Sequence, residues 1–183
     1  MIILSTFQGF ERAYPLIIVF SLFMGYFIEH DSNYLLFAIA LKISSLMNQG
    51  LKDFVFKKIM GSKEFPILGK GTRPKGAKDC GEFIDTDNRK SSSYGMPSGH
   101  SNFSAFFGIV MILMIINSNY SKNIKTIKIL IILIISGIIM FSRINLGCHT
   151  SQQVLIGGII GAILGYFYYS NLGKIKRILK MKA

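Results

Sequence analysis

The chain has 183 residues, of which 50% are hydrophobic, and a mean hydropathy of +0.44, which excludes an ordinary soluble domain and leaves room for one compact membrane unit. Its formal net charge of +12 would suggest a nucleic-acid partner in a soluble protein. The basic residues lie instead around the ends of apolar segments, which favours the bilayer as the partner and argues against nucleic acid.

Five apolar runs follow one another along the chain, and mildly polar neighbours extend each of them to the ~20 residues that a bilayer-spanning helix needs. The runs comprise residues 15–28, 34–47, 103–116, 127–141 and 154–169. They predict an all-α, multi-pass helical bundle of about five spans that forms a single membrane-embedded domain over residues 1–183.

A polar stretch, residues 61–96, separates the second run from the third. Its glycines, serines and charges of both signs predict an extramembrane loop. A loop this long is usually functional or disordered, so we expect its ends to contribute to a site and its middle, residues 79–90, to be mobile. The acidic residues of that middle part are expected to form a solvated surface rather than a cation site.

The fifth run carries small residues four apart at Gly157, Gly161 and Gly165, which predicts close packing of this helix against a neighbour, with a substrate groove as the alternative. A basic C-terminal tail, residues 173–183, follows it. With five spans, this tail and the lysines between the third and fourth runs share one face, which the positive-inside rule makes cytoplasmic. The loop at residues 61–96 then lies on the non-cytoplasmic face.

Two cysteines, Cys80 and Cys148, also fall on that non-cytoplasmic face. A disulfide is chemically allowed there. Because the sequence does not fix the distance between them, two free thiols are the simpler expectation and the disulfide is the alternative.

A polar motif, Pro97-Ser98-Gly99-His100, opens the third run. A helix start offers free backbone N–H groups and the positive end of the helix dipole, and here a hydroxyl, a glycine and an imidazole stand beside them. Taken alone, the motif could be a serine cap with an incidental histidine. Together these groups predict an anion site.

A second polar motif, Ser142-Arg143 followed after five residues by His149, connects the fourth run to the fifth. The topology returns both side chains to the membrane face of His100, and Arg73 in the loop adds a second guanidinium. Arginine suits a phosphoryl group because its planar fork donates two hydrogen bonds and stays charged. We therefore expect a phosphoryl-transfer site that uses no metal and no other cofactor.

These motifs resemble the signature of the type 2 phosphatidic acid phosphatase superfamily, which also includes vanadium haloperoxidases. Pro-Ser-Gly-His and Ser-Arg-five-His match the second and third parts of that signature in full. Residues 94–101 and 149–154 are most similar to dolichyldiphosphatase-type members, and the resemblance covers residues 48–169.

The resemblance implies a histidine nucleophile and a phosphohistidine intermediate. His149 would attack phosphorus, while His100 would protonate the leaving oxygen and then help to activate water. Four further residues would hold the phosphoryl oxygens: Arg73, Ser98, Gly99 and Arg143.

The chain departs from the family pattern at the lysine of the first part, which usually stands seven residues before the arginine of Arg-Pro. That position is Pro66 here. Lys52, at the end of the second span, is favoured as the displaced equivalent that binds phosphate, and Lys70 is the alternative.

A second departure is Gln153, which stands where many relatives have an aspartate that orients the nucleophilic histidine. The glutamine carbonyl can still accept the ring N–H, although it supplies no negative charge. Dolichyldiphosphatase-like members also carry glutamine at this position, so the change favours that subgroup over loss of activity.

The resemblance implies a membrane-bound lipid phosphatase in the endoplasmic reticulum or another internal membrane, with its active site on the non-cytoplasmic face. The leading substrate is a polyprenyl diphosphate of the dolichyl type, and phosphatidate or a sphingoid phosphate is the alternative. Two other functions remain open: a lipid phosphotransferase and a catalytically inactive phospholipid-binding membrane protein. The sequence predicts no oligomeric state.

Overall fold

The computed structural model describes residues 2–78, 80–81, 91 and 93–181, with side chains from residue 9 onward. The acidic residues of the loop, Asp79, Glu82, Asp85 and Asp87, and most of the segment expected to be mobile therefore lie outside the described residues. The helices are α1 (Ile2–Glu29), α2 (Ser32–Gly50), α3 (Lys57–Met60), α4 (Gly99–Ile116), α5 (Lys122–Asn145) and α6 (Ser151–Ile178), and two short strands are β1 (Glu64–Phe65) and β2 (Gly69–Lys70).

Among the described residues, five helical segments are long and apolar enough to cross a membrane, which confirms the predicted all-α membrane bundle. They are Gly9–Glu29, Ser32–Met60, Gly99–Ile116, Lys122–Asn145 and Ser151–Ile178. The last of them includes the first residues of the basic tail, since α6 ends only at Ile178. Large apolar side chains cover the outward faces of these helices, as expected for surfaces that contact lipid.

The second span is longer than its apolar run because the helix does not end after α2. A π-helical segment, Leu51–Phe56, continues α2 directly into α3, and the N–H of Lys57 donates to the carbonyl of Lys52, five residues earlier. Such segments inside α-helices often occur at functional sites. Lys52 therefore lies beyond the apolar part of the second span but remains part of a continuous helix.

A glycine seam, formed by Gly157, Gly161 and Gly165, joins α6 to α4. A Cβ atom at Gly161 would collide with the backbone carbonyl of Asn102, and one at Gly165 would lie 2.8 Å from the carbonyl oxygen of Phe106. The two backbones approach this closely because the glycines lack side chains, which confirms the packing expectation.

An aromatic core fills the space between α1, α2, α4 and α5. Tyr14 and Phe103 meet edge to face with ring centroids 6.0 Å apart, and Phe37 stacks on Phe107 at 5.6 Å. Such pairs stabilise helix packing beyond the burial of their area. The core members are Tyr14, Phe37, Leu41, Phe103, Phe106, Val110 and Ile139.

The loop between α3 and α4 is more regular than expected. Strands β1 and β2 pair antiparallel, with Glu64 opposite Lys70 and Phe65 opposite Gly69. Further along the loop, Cys80 forms a disulfide bond with Cys148 in the connection between α5 and α6. The expectation of two free thiols is therefore wrong, and the loop is fastened to the same end of the bundle as the starts of α4 and α6.

Candidate active site

The connection between α5 and α6 brings the second predicted motif into position. The backbone N–H groups of Cys148 and His149 both donate to the carbonyl of Arg143 at 3.1 Å, and Gly147 adopts φ +65°, which glycine tolerates without strain. This geometry is a tight helix-ending turn. It places the Arg143 guanidinium and the His149 imidazole at the same end of the bundle, with only 0% and 3% of the two residues exposed.

The ring of His149 is oriented by Gln153, one turn into α6. Nδ1 of His149 lies 3.0 Å from Oε1 of Gln153, while Nε2 of the same glutamine donates to the carbonyl groups of Lys70 (2.9 Å) and Thr72 (2.7 Å). Carbonyl groups only accept hydrogen bonds, so the amide nitrogen must face the loop and the amide oxygen must face the histidine. Nδ1 of His149 therefore carries the proton, and Nε2 keeps its lone pair.

Arg73 lies against that lone pair. Its Nη1 atom donates to Nε2 of His149 at 3.1 Å and to the carbonyl of Cys148 at 2.9 Å, while Nε and Nη2 bond the backbone and the hydroxyl of Ser93. Burial lowers the pKa of Arg73 from its ordinary value. The loop thus brings a guanidinium group directly to the unprotonated nitrogen of the imidazole.

Electrostatics keep His149 neutral. Burial, followed by the positive charges of Arg73 and Lys52, lowers the pKa of His149 to about 2, although its hydrogen bond with Gln153 acts in the opposite direction. A charged imidazole would be disfavoured here both by desolvation and by the nearby cations. Nε2 consequently stays unprotonated throughout the neutral pH range, with its lone pair accepting the hydrogen bond from Arg73.

The start of α4 forms the opposite wall. Ser98 is the N-cap residue, and its hydroxyl accepts hydrogen bonds from the backbone N–H (3.5 Å) and the hydroxyl (2.9 Å) of Ser101. The N–H of Ser98 itself donates to the carbonyl of Gln153 at 3.0 Å, and a Cβ atom at Gly157 would collide with the Ser98 carbonyl. Gln153 thus connects the helix start, the imidazole of His149 and the loop.

The two candidate lysines occupy different environments. Lys52 is 4% exposed, and its charge reaches His149. The side chain of Lys70 is 56% exposed, and its Nζ atom lies 3.3 Å from the carboxylate of Glu64. Only the backbone carbonyl of Lys70 contributes to the site, through Gln153. The geometry brings Lys52 into the cluster and leaves the ammonium group of Lys70 outside it.

His100 is held by the first helix. Its Nε2 atom lies 3.0 Å from the backbone carbonyl of Arg12, 88 residues away, and the pair is buried. The carbonyl only accepts, so Nε2 carries a proton in this contact. The charges of Arg143, Arg73 and Lys52 act on this imidazole as well as on His149, which places His100 beside the same cationic cluster.

Sequence reasoning missed three buried residues of this region, Glu11, Arg12 and Asn48. Glu11, 5% exposed, interacts electrostatically with Arg12 and Arg143, so α1 closes one side of the site. Asn48, 3% exposed, lies beside the start of α4, where its Nδ2 atom is 3.6 Å from the position of a Cβ on Gly99. Asn48 stands one helical turn before Lys52, and this spacing could have indicated that both side chains lie on the same face of the helix. No sequence signal indicated the contacts of Glu11 and Arg12 with the site, because they join parts of the chain that are far apart.

The predicted site residues thus converge at one end of the bundle, with Lys52, Arg73 and Arg143 around the two histidines. A cavity of about 440 Å³ opens beside Arg73 and is lined by loop residues 72–77, 91, 93 and 94. Cationic groups, a helix start and a neutral imidazole with a free lone pair can bind an anion and attack it.

A family model matches most of the chain, and individual relatives match about half of it. A family model described as the PAP2 superfamily matches residues 31–177. Dolichyldiphosphatase 1 of Dictyostelium discoideum is 34% identical over 91 residues, which cover 48% of this chain and 40% of that protein. The dolichyldiphosphatase of Saccharomyces cerevisiae is 35% identical over 89 residues, 48% of this chain and 37% of that protein. The matched segment therefore spans less than half of either relative, and no solved structure matches the chain.

Proposed function

Because the chain belongs to the PAP2 superfamily, we propose that it is a metal-independent membrane phosphatase that hydrolyses a lipid diphosphate through a phosphohistidine intermediate. We assign a polyprenyl diphosphate of the dolichyl type as the substrate, since the two relatives named above are dolichyldiphosphatases. The observation that carries the proposal is the neutral imidazole of His149, whose proton is held on Nδ1 by Gln153 and whose Nε2 lone pair faces the Arg73 guanidinium.

In the first step, Nε2 of His149 attacks the terminal phosphorus. The bond from phosphorus to the bridging oxygen breaks, and the lipid monophosphate leaves. Arg73 exchanges its contact with Nε2 for a phosphoryl oxygen. The guanidinium that donates to Nε2 in the free enzyme then neutralises the negative charge of the phosphoryl group during the reaction. Gln153 keeps its contact with Nδ1 and stabilises the imidazole as positive charge develops on the ring.

The phosphoryl oxygens are held by two kinds of donor. Arg73, Arg143 and Lys52 supply positive charge, and the start of α4 at Ser98 and Gly99 supplies backbone N–H groups together with the helix dipole. Preorganised donors of this kind stabilise the transition state without a metal ion. We assign the cavity that Arg73 and its loop neighbours line as the entry for the diphosphate group, because Arg73 also contacts His149.

We assign His100 as the proton donor to the leaving oxygen and, in the second step, as the base that activates water against the phosphohistidine. The carbonyl of Arg12 holds Nε2 of His100, so Nδ1 is the nitrogen that exchanges the proton. In the acid role His100 is the imidazolium, with one proton on each ring nitrogen, and it gives the Nδ1 proton to the leaving oxygen; the neutral ring that results has its lone pair on Nδ1 and can accept a proton from water in the second step.

We further propose that residues 1–183 act as one membrane-embedded catalytic domain whose loop, residues 61–96, leads into the site on the non-cytoplasmic face. Two independent features support this face. The basic tail and the lysines near the start of α5 favour the cytoplasm for the opposite end of the bundle. A disulfide bond beside the site is typical of an oxidising compartment such as the lumen of the endoplasmic reticulum.

The test is phosphate release by purified, detergent-solubilised protein from a polyprenyl diphosphate, with phosphatidate for comparison and a chelator present. We expect release from the diphosphate, none from the His149→Ala variant, and labelled phosphate trapped on His149 of the wild type. His30→Asn is a matched control, because His30 is exposed between α1 and α2 and asparagine tolerates its φ of +51°.

Three results would contradict the proposal. Activity that disappears with the chelator and returns with a metal ion would exclude the metal-independent route. Transfer of the phosphoryl group to an added lipid alcohol in preference to water would indicate a phosphotransferase. Tight binding of the diphosphate lipid with neither release nor trapped phosphate would indicate a binding protein.

A further inference from the structure

We propose that the Cys80–Cys148 disulfide is a positioning element of the anion site: it fastens the two backbone carbonyl groups that orient Arg73 and Arg143, so the affinity for a phosphoryl group depends on the cross-link. The inference rests on the proposed function, because it assumes that these two arginines bind phosphoryl oxygens.

Each of the two cysteines accepts a hydrogen bond from a different arginine. Nη1 of Arg73 donates to the carbonyl of Cys148 at 2.9 Å, and Nη2 of Arg143 donates to the carbonyl of Cys80 at 2.8 Å. The cross-link therefore fixes the relative position of the two acceptors. Fixing both acceptors also fixes the spacing of the two guanidinium groups, which determines whether both can reach one phosphoryl group.

The two halves of the cross-link differ in how firmly the rest of the chain holds them. Cys148 sits in the tight turn after α5, where its N–H donates to the carbonyl of Arg143. Cys80 belongs to the long loop and packs with Ala77, Cys148 and Leu146 in a small apolar cluster. The disulfide thus ties Cys80 to the helix turn that holds Cys148. This restrains the Cys80 carbonyl that accepts a hydrogen bond from the fully buried Arg143.

The position of the cross-link connects it to the chemistry as well as to stability. Cys148 directly precedes His149, and the bond joins residues 68 positions apart. A cross-link that closes a loop of this size restricts the unfolded chain, so its loss also lowers stability. The test must therefore measure anion affinity separately from folding.

Orthovanadate is the probe, because it mimics a phosphoryl group and needs no lipid. We compare the wild type with Cys80→Ser, Cys148→Ser and the double variant in detergent, and measure both vanadate inhibition and the kinetics on a polyprenyl diphosphate. Each variant is expected to bind vanadate roughly tenfold more weakly, since a hydrogen bond to a charged group contributes at least that much. The three effects should be equal, because any one substitution removes the same bond.

A matched control loosens the same loop elsewhere. Glu64→Gln removes the ion pair between the Glu64 carboxylate and the exposed ammonium group of Lys70, which touches neither arginine. We expect its vanadate constant to equal that of the wild type, even where its thermal stability falls.

Reduction of the folded wild type covers the case in which the serine variants do not fold. Excess dithiothreitol converts the disulfide to two thiols and is itself oxidised to its cyclic disulfide. The reduced wild type should match the variants in vanadate affinity and recover on reoxidation, whereas the variants should not respond. Mass spectrometry verifies that the disulfide is reduced. If the vanadate constant then stays unchanged, the inference is overturned. It is also overturned if the native protein lacks the Cys80–Cys148 bond. Wild-type protein that neither releases phosphate nor binds vanadate would instead overturn the proposed function.

Discussion

The two histidines of the site are held in opposite ways. A side chain from the same helix turn orients His149, which sits on a short connection between helices with its Nε2 atom directed at Arg73. A backbone carbonyl of a distant helix holds His100, which lies within the start of α4. One ring therefore has a defined tautomer with a free lone pair, and the other has a proton fixed on the nitrogen that faces α1. The difference teaches that side chains set the orientation and tautomer of His149, whereas helix packing sets the position of His100.

The largest expected effect separates the two histidines by role. His149→Ala should lower the rate of phosphate release by roughly 10⁴-fold or more, as for loss of a catalytic nucleophile, while His100→Ala should cost about 10²–10⁴-fold, as for loss of a general acid. A substrate analogue with an acidic leaving group should recover part of the activity of His100→Ala and none of that of His149→Ala. Single-turnover kinetics on both substrates measure this, and equal recovery in the two variants would remove the distinction.

A smaller loss is expected when a guanidinium becomes a point charge. Arg143→Lys keeps the positive charge but loses the planar fork, and we expect kcat to fall by about 10²-fold, comparable to removal of one donor at a transition state. Arg177→Lys is the control, because that guanidinium bonds the carbonyl of Gly173 near the end of α6, away from the site. Similar kinetics for both variants would show that Arg143 acts through its charge alone.

The two lysines should separate under the same assay. Lys52→Ala removes a buried ammonium group whose charge reaches His149, so we expect kcat/KM to fall by about tenfold or more. Lys70→Ala removes an exposed group that pairs with Glu64, and its kcat/KM should stay near that of the wild type, because such surface pairs contribute little. Loss of activity in Lys70→Ala alone would reassign the lysine of the first motif.

A change at Gln153 tests how the tautomer of His149 is set. Gln153→Glu replaces an amide donor with a carboxylate that faces the carbonyls of Lys70 and Thr72, so we expect a loss of roughly 1–3 kcal/mol in the free energy of unfolding, together with reduced kcat. Gln152→Glu, on the exposed side of the same turn, is the control for added charge. Thermal unfolding and kcat measure the outcome, and a more active Gln153→Glu protein would mean that the negative charge matters more than the amide donor.

The smallest effect is a change in the pH profile. The pKa of His149 in the free enzyme is about 2, so the nucleophile stays neutral above that value and its protonation adds no acid limb to kcat/KM near pH 6. Arg73→Gln removes a positive charge that lowers this pKa, so the pKa of His149 should rise and activity should be lost at a higher pH on the acid side. Burial, the larger cause, remains. NMR titration of labelled His149 in both proteins measures the shift, and an unchanged or lower pKa in the variant would contradict it.

The local part of the site followed from the sequence. Ser98 as a helix cap, the turn that joins Arg143 to His149, and a lysine near the end of the second span are all encoded within one or two helical turns, where hydrogen-bond patterns and spacing are readable. The carbonyl of Arg12 and the disulfide were not predictable, because both join residues far apart in the chain. The π-helical segment that carries Lys52 was missed as well, because the apolar run ends at residue 47, before the segment begins at Leu51.

The glycine seam has a mechanical consequence for the reaction. The carbonyl groups of Ser98, Asn102 and Phe106 occupy the volume that methyl groups on α6 would fill, so the backbones of α4 and α6 are in direct contact along the seam. His100 is part of α4, and Gln153, whose amide group orients His149, is part of α6. The distance between the two imidazoles therefore depends on the close packing of α4 against α6, and we expect a methyl group at Gly161, which would collide with the carbonyl of Asn102, to increase it.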